Sequence, residues 1–217
     1  MAQPLKISPR ADPSYLAALG EVLGKLAESL ARDSRRRARD RPCLYLAGGA
    51  AAHLYTGARL SNDIDAALSA RVILRDDLRA SYRGPDGRAR LLYFDTQYNE
   101  SFGLVHERAH DDARPVRLAA VDPAILEVRA LAPVDLAVSK LARYAAQDVE
   151  DIRALAQAGL VAPAAVRRRA REALGAYVGD TASVKTSIEL ACKLIAQTRR
   201  GASRGGARRR PRRARPR

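Results

Sequence analysis

Tryptophan is absent from this sequence of 217 residues, and phenylalanine, cysteine and methionine number two, two and one. With aromatic residues at 5% and apolar residues at 47%, a sizeable core is possible only if Leu, Val and Ala fill it. The same scarcity argues against a protein that reads single strands by stacking many bases on aromatic rings. Cys43 and Cys192 give neither metal-ligand spacing nor a disulfide framework, which points to a reduced, cytoplasmic setting. His106 and His110 have no further Cys or His at zinc-like spacing, and His53 stands alone in an Ala-rich stretch, so no zinc site is expected. No apolar run approaches the roughly 20 residues that span a bilayer, and the opening MAQPLKISPR lacks a signal-peptide apolar region. No membrane partner is expected.

Arginine, by contrast, is abundant. Of the net charge of +15, ten units belong to the last nineteen residues, where Arg199, Arg200, Arg204, Arg208 and six further arginines occur without an acid. That segment is Arg, Gly, Ala and Pro with little to bury, so residues 199–217 are expected to form a disordered tail. A second basic run, from Arg35 to Arg41, reads either as a solvated helix end or as a contact to a phosphate backbone. Both runs offer sequence-independent attraction to RNA.

The residue types that carry chemistry concentrate between Leu44 and Leu68, LYLAGGAAAHLYTGARLSNDIDAAL. A short apolar run ends at Gly48-Gly49, an Ala-rich amphipathic segment follows, and Asn62-Asp63-Ile64-Asp65 opens a second apolar run. The pattern is strand, glycine turn, helix, strand. Glycines after a strand let the backbone turn sharply and approach a ligand, and the helix that starts there presents unpaired N–H groups to phosphate. Residues two apart in a strand share a face, so Asp63 and Asp65 project together while Ile64 points into the core. Two carboxylates beside a phosphate seat suit Mg²⁺, which takes one or two carboxylates plus substrate phosphate oxygens. No Gly-Lys-Ser/Thr follows the glycine pair, so a Walker-type ATPase is not indicated.

Gly48-Gly49, the spacer, and Asp63-Ile64-Asp65 with Arg59 and Ser61 just ahead resemble the signature of the DNA polymerase β-type nucleotidyltransferase superfamily. Ala132 to Arg143, followed by Asp148-Val149-Glu150-Asp151-Ile152, resembles the helical half of bacterial AbiEii-like and related minimal nucleotidyltransferases. Together the resemblances cover residues 42 to 160. They imply transfer of an NMP from an NTP to an acceptor hydroxyl on tRNA, another RNA or a protein, with Mg²⁺ held by Asp63 and Asp65. They also imply triphosphate contacts at Gly48, Gly49, Arg59 and Ser61, a cation at Lys140, and Asp148 and Asp151 orienting Lys140 or touching the nucleotide. A third carboxylate that ligates metal and acts as general base is expected on a neighbouring strand, with Asp95 as candidate and Glu107 in reserve. The AbiEii-like likeness further implies the toxin of a toxin–antitoxin pair, with an antitoxin protein as partner. A nucleotidyltransferase fold that binds nucleotide or RNA without turnover is the alternative. Adenylylation of a cationic antibiotic is remote, because it calls for an acidic pocket.

The rest of the chain fits an α+β protein: a small mixed β-sheet nucleotidyltransferase core with an N-terminal helix and a C-terminal helical bundle. Asp12-Pro13 opens a helix whose Leu16, Leu19, Leu23 and Leu26 form one stripe. Gly84-Pro85-Asp86-Gly87 marks a hairpin between Leu78–Tyr82 and Ala89–Phe94. Val116 to Leu118 and Leu126 to Leu131 read as strands. Pro133 opens a helix carrying Lys140 and Arg143, Asp148 to Ala158 forms another, Val166 to Val178 a third, and Thr181 caps a last one reaching Ile195. The divisions are 1–41, N-terminal helix and basic linker; 42–131, α/β core; 132–198, helical part; and 199–217, tail.

Overall fold

The computed structural model describes residues 3–32, 41–100 and 103–207. Helix α1 spans Pro13–Arg32, and its start is fixed by Asp12, whose side chain accepts the Tyr15 N–H at 2.8 Å. Leu19, Leu23, Leu26 and Leu30 on its inner face are buried, while Leu16 is only partly covered. Strand β1 (Cys43–Leu46) leads into α2 (Gly48–Thr56), which ends where Gly57 adopts a left-handed conformation. Short strands β2 (Asp63–Ile64) and β3 (Ala66–Leu68) follow, then the hairpin of β4 (Arg79–Arg83) and β5 (Ala89–Phe94). Strands β6 (Arg114–Pro115) and β7 (Glu127–Ala130) precede four helices: α3 (Pro133–Ser139), α4 (Ala146–Gln157), α5 (Pro163–Ala173) and α6 (Thr181–Ala207). The architecture is α+β, with the N-terminal helix on the strands and the remaining helices behind them.

The strands form two mixed sheets where a single one was expected. One has the order β3-β1-β7-β6, with β1 parallel to β7 and antiparallel to β3; the other has the order β2-β5-β4, with β2 parallel to β5. Asp65 is the single residue between β2 and β3, so the chain passes from one sheet to the other at that carboxylate. Its carbonyl accepts the Ala47 N–H at 2.8 Å, and the Ile64 carbonyl accepts the Asp95 N–H at 3.1 Å. Helix α1 covers the inner face of the β4–β5 hairpin, where Ala80, Tyr82, Leu92 and Phe94 are buried, and Lys25 Nζ donates to the Arg79 carbonyl at 2.7 Å.

Four elements differ from expectation by more than two residues. The strand placed at Val116–Leu118 lies at Arg114–Pro115, because after the Val116 N–H bonds Val128 the chain turns, with the Val121 N–H on the Leu118 carbonyl. Helix α3 stops at Ser139, leaving Lys140 and Arg143 in a turn that ends at Tyr144, whose φ is 47°. Helix α5 stops at Ala173, where bonds such as Gly175 N–H to the Glu172 carbonyl tighten the chain. Helix α6 continues past Ile195 to Ala207, so the disorder expected from Arg199 does not hold for 199–207. Arg199 Nη1 donates to the Val161 carbonyl at 2.8 Å, which ties the added turns to the bundle. The basic run at 33–40 and the tail at 208–217 lie outside the described residues; Arg41 pairs with Glu127 and donates to the Pro123 carbonyl.

Two left-handed glycines differ in surroundings. At Gly57, φ 65°, an added Cβ would meet Arg10 backbone and Cβ at 2.4 Å, whereas at Gly159, φ 73°, nothing lies within 4 Å. Gly159→Ala is expected to cost about 1–2 kcal/mol through backbone strain alone, and Gly57→Ala about 3 kcal/mol or more because overlap adds to it. Denaturant unfolding of the two variants measures the difference.

Candidate active site

The C-terminal end of β1 delivers the chain into α2 through Gly48, φ 56°, and this turn faces the β2–β3 passage. The contact is close: a Cβ on Gly48 would lie 1.7 Å from Asp65 Oδ2, and one on Gly49 would lie 2.7 Å from Ser61 Oγ. The glycine pair is therefore required by the side chains opposite as well as by the turn itself. Asp63 and Asp65 flank the fully buried Ile64, as alternation along a strand dictates. Because β2 runs parallel to β5 with Ile64 opposite Phe94, Asp95 arrives beside Asp65. All three carboxylates line one cavity of about 530 Å³, together with Gly48, Gly49, Arg59, Ser61, Lys140, Arg143 and Asp148.

The cavity's electrostatics are divided. On the strand side, burial first, and then repulsion from Asp63 and Asp95, outweigh the cations Lys140 and Arg143 and push Asp65 up to about 6. No donor among the described residues hydrogen-bonds the Asp65 carboxylate, whereas Asp63 accepts from the Ser61 hydroxyl. On the helix side, Asp151 is 1% exposed and holds two cations: Arg59 forks onto both its oxygens at 3.0 Å, and Lys140 Nζ lies 2.6 Å away. Asp148, also 1% exposed, accepts Arg143 at 2.9 Å through two bonds and the Ala145 N–H at 2.9 Å, with Lys140 at 3.7 Å. Burial opposes its charge, but Arg143, the Ala145 N–H and Lys140 prevail and hold its carboxyl below the usual range.

Of the residues expected to serve metal, nucleotide or catalysis, all except Asp151 and Glu107 line this cavity. Asp151 sits behind it, holding Arg59 and Lys140 rather than facing a ligand. Glu107 lies in an exposed turn, and the strand-terminal Asp95 takes the place beside Asp63 and Asp65 while its Oδ1 also accepts the Gln97 N–H at 2.8 Å. Ser61, expected to donate to phosphate, donates its hydroxyl to Asp63 in this structure. The histidines are used in packing: His53 joins Asp12 N–H to the Ala58 carbonyl, each at 2.9 Å, and His110 pairs with Glu100 and stacks on Tyr45 at 4.0 Å. Among the described residues no group of three His, Cys, Asp or Glu could hold a metal by itself. Sequence reasoning missed Tyr98, Gln147 and Tyr177 on the cavity wall. For Tyr177 the signal was Gly179 two residues on: a Cβ there would lie 2.7 Å from the ring, so only glycine lets the ring rest where it does.

A glycine turn opening a helix, paired acids on the next strand and a third acid on the strand beside it make up a nucleotidyltransferase core. The chain belongs to the family described as "Nucleotidyltransferase of unknown function (DUF6036)", whose model matches residues 23–188. No curated protein and no solved structure matches it.

The ion cluster generates two expectations. Asp151→Ala leaves Lys140 and Arg59 without their shared anion and should cost about 3 kcal/mol, while Arg143→Ala, whose side chain is 72% exposed, should cost less than about 1 kcal/mol. Because the folded-state value of Asp148 lies below its ordinary 3.8, its stabilisation is complete above that pH and disappears as pH falls through the folded value. The stability gap between wild type and Asp148→Asn should therefore be constant near neutrality and close in acid below the ordinary value, as chemical unfolding across a pH series would report.

Proposed function

We propose that the chain is an Mg²⁺-dependent nucleotidyltransferase that moves an NMP from an NTP to a hydroxyl on an acceptor, an RNA such as tRNA or a protein. The observation that carries this reading is the meeting of Asp63, Asp65 and Asp95 at the glycine-led start of α2, with Lys140 and Arg143 across the same cavity. The donor set suits Mg²⁺: Asp65 is half-buried, repelled by two neighbouring carboxylates and without a hydrogen-bond donor among the described residues, so a cation relieves it. Too few protein ligands gather to close a site on their own, which suits an ion that completes its shell with water and phosphate oxygens. Asp63 and Asp65 would hold it. When bound, Mg²⁺ supplies positive charge to the phosphate oxygens and favours in-line displacement.

The protein's own groups then have distinct parts. The acceptor oxygen forms a bond to the α-phosphorus while the bond to pyrophosphate breaks, and the hydroxyl proton passes to Asp95. Backbone N–H groups of Gly48 and Gly49 at the start of α2 donate to the triphosphate. Lys140 and Arg59, fixed by Asp151, face the charge that grows on the leaving pyrophosphate. Ser61 holds Asp63 in orientation through its hydroxyl. The AbiEii-like likeness of residues 132–152 supports a further part as the toxin of a toxin–antitoxin pair with a cognate antitoxin, and the arginines of 208–217 supply long-range attraction to RNA.

Purified wild type and the Asp63→Ala/Asp65→Ala variant, each given Mg²⁺, α-labelled NTPs, total tRNA and a cell lysate, should differ by at least about 100-fold in label transferred. Label in RNA from the wild type alone identifies an RNA nucleotidyltransferase, and label in a protein band identifies a protein-modifying one. Mg²⁺-dependent NTP binding with no transfer to either would replace catalysis with the binding-module reading.

A further inference from the structure

The three-stranded sheet has two faces of opposite character. Ala80, Tyr82, Leu92 and Phe94 are buried against α1, while the alternate residues Arg79, Ser81, Arg83, Leu91 and Tyr93 face outward. Leu91 and Tyr93 are 45% and 44% exposed, unusual for large apolar side chains in a protein this poor in aromatics. The register places this exposure with respect to the chemistry: Tyr93 lies opposite Asp63 on β2 and opposite Arg79 on β4. A carboxylate, an aromatic ring and a guanidinium thus stand in one row across three strands, with neighbouring strands about 4.8 Å apart. Asp95, two residues after Tyr93, continues the same face into the cavity.

The cations of this face are available. Among the described residues neither Arg79 nor Arg83 is paired with a carboxylate, and Arg83 donates only to the Gly87 carbonyl at 3.2 Å. We propose that this face is the acceptor platform and that its occupant is a single-stranded polynucleotide. A base stacks on Tyr93, the sugar lies against Leu91, and phosphates sit at Arg79 and Arg83, which brings a hydroxyl of the stacked nucleotide within about one strand spacing of Asp63. A single strand is required because a paired base keeps its faces inside the duplex. The charge complementarity with a polyanion of two arginines that pair with no carboxylate among the described residues selects nucleic acid over a protein acceptor. Stacking on one ring tolerates any base, so the platform admits strands without reading their sequence. The proposal rests on the nucleotidyltransferase reading, and it adds to it the class of the acceptor.

The test uses the full chain with a short fluorescein-labelled single-stranded RNA, followed by anisotropy over a salt series without NTP, and with Mg²⁺-NTP binding measured in parallel. Tyr93→Ala should weaken RNA binding about tenfold and Tyr93→Phe should restore it, since stacking needs the ring and not the hydroxyl. Arg79→Ala/Arg83→Ala should flatten the salt dependence by about 1.4 in the log–log slope, about 0.7 for each phosphate that is no longer neutralised. All three variants should bind NTP as wild type does, which also shows that they fold. RNA affinity unchanged in Tyr93→Ala, or label transferred to a protein and not to RNA, overturns the platform and leaves the nucleotidyltransferase reading standing. Failure of the wild type to bind NTP, with Tyr93-dependent RNA binding intact, overturns that reading instead.

Discussion

The buried carboxylate of Asp151 holds the two parts of this protein together. It accepts Arg59 from the link between α2 and β2 and Lys140 from the end of α3, so one anion fastens the strand region to the helices. Burying three charged groups is unfavourable, and here the penalty is offset by close geometry: two bonds at 3.0 Å and a contact at 2.6 Å. Asp148 repeats the device one turn earlier with Arg143. The cations that line the cavity are consequently the same ones that join its walls. Positive charge is held in place before any phosphate arrives, which is the condition under which electrostatic stabilisation costs least at the moment of reaction.

Against this fixed positive wall stands a negative one that is left incomplete. Asp65 has burial and two like neighbours against it, and the Gly48 turn leaves room for its carboxylate but gives it no hydrogen bond. One side of the cavity is neutralised internally and the other is not. That asymmetry, more than the presence of acidic residues as such, distinguishes this cavity from the surface ion pairs elsewhere on the molecule, such as Arg75 with Asp77 or Arg167 with Glu189, where each charge has its partner.

How much of this could be read from residues alone depended on range. The β1–Gly48–Gly49–α2–β2 unit and the β4–β5 hairpin were legible because each is encoded locally, by an apolar run, a glycine pair or a Gly-Pro-Asp-Gly turn. Asp95 could be named but not distinguished from Glu107, since what decides between them is the parallel pairing of β2 with β5, about thirty residues apart. The C-terminal end of α3 and the division into two sheets were not legible, although Pro133 marked where that helix starts. Apolar periodicity continues through Leu141, but Lys140 and Arg143 turn toward Asp151 and Asp148, and tertiary pairing overrides helix propensity there. Tyr98 reaches the cavity from a segment without any motif, so nothing but the assembled fold identifies it.

The passage between sheets at Asp65 has a mechanical consequence. Asp63 is registered on the sheet beneath α1, whereas the Asp65 carbonyl is bonded to Ala47, at the end of the sheet that leads into α2. Only Ile64, wholly enclosed, bridges them. The two carboxylates are therefore like the tips of tweezers whose arms are separate β-layers and whose pivot is one aliphatic side chain. Their gap is set by how the two layers pack around that pivot, and the excursion that follows is tied to both layers, with Ser69 N–H on the Cys43 carbonyl of one and the Leu78 carbonyl accepting Phe94 N–H of the other.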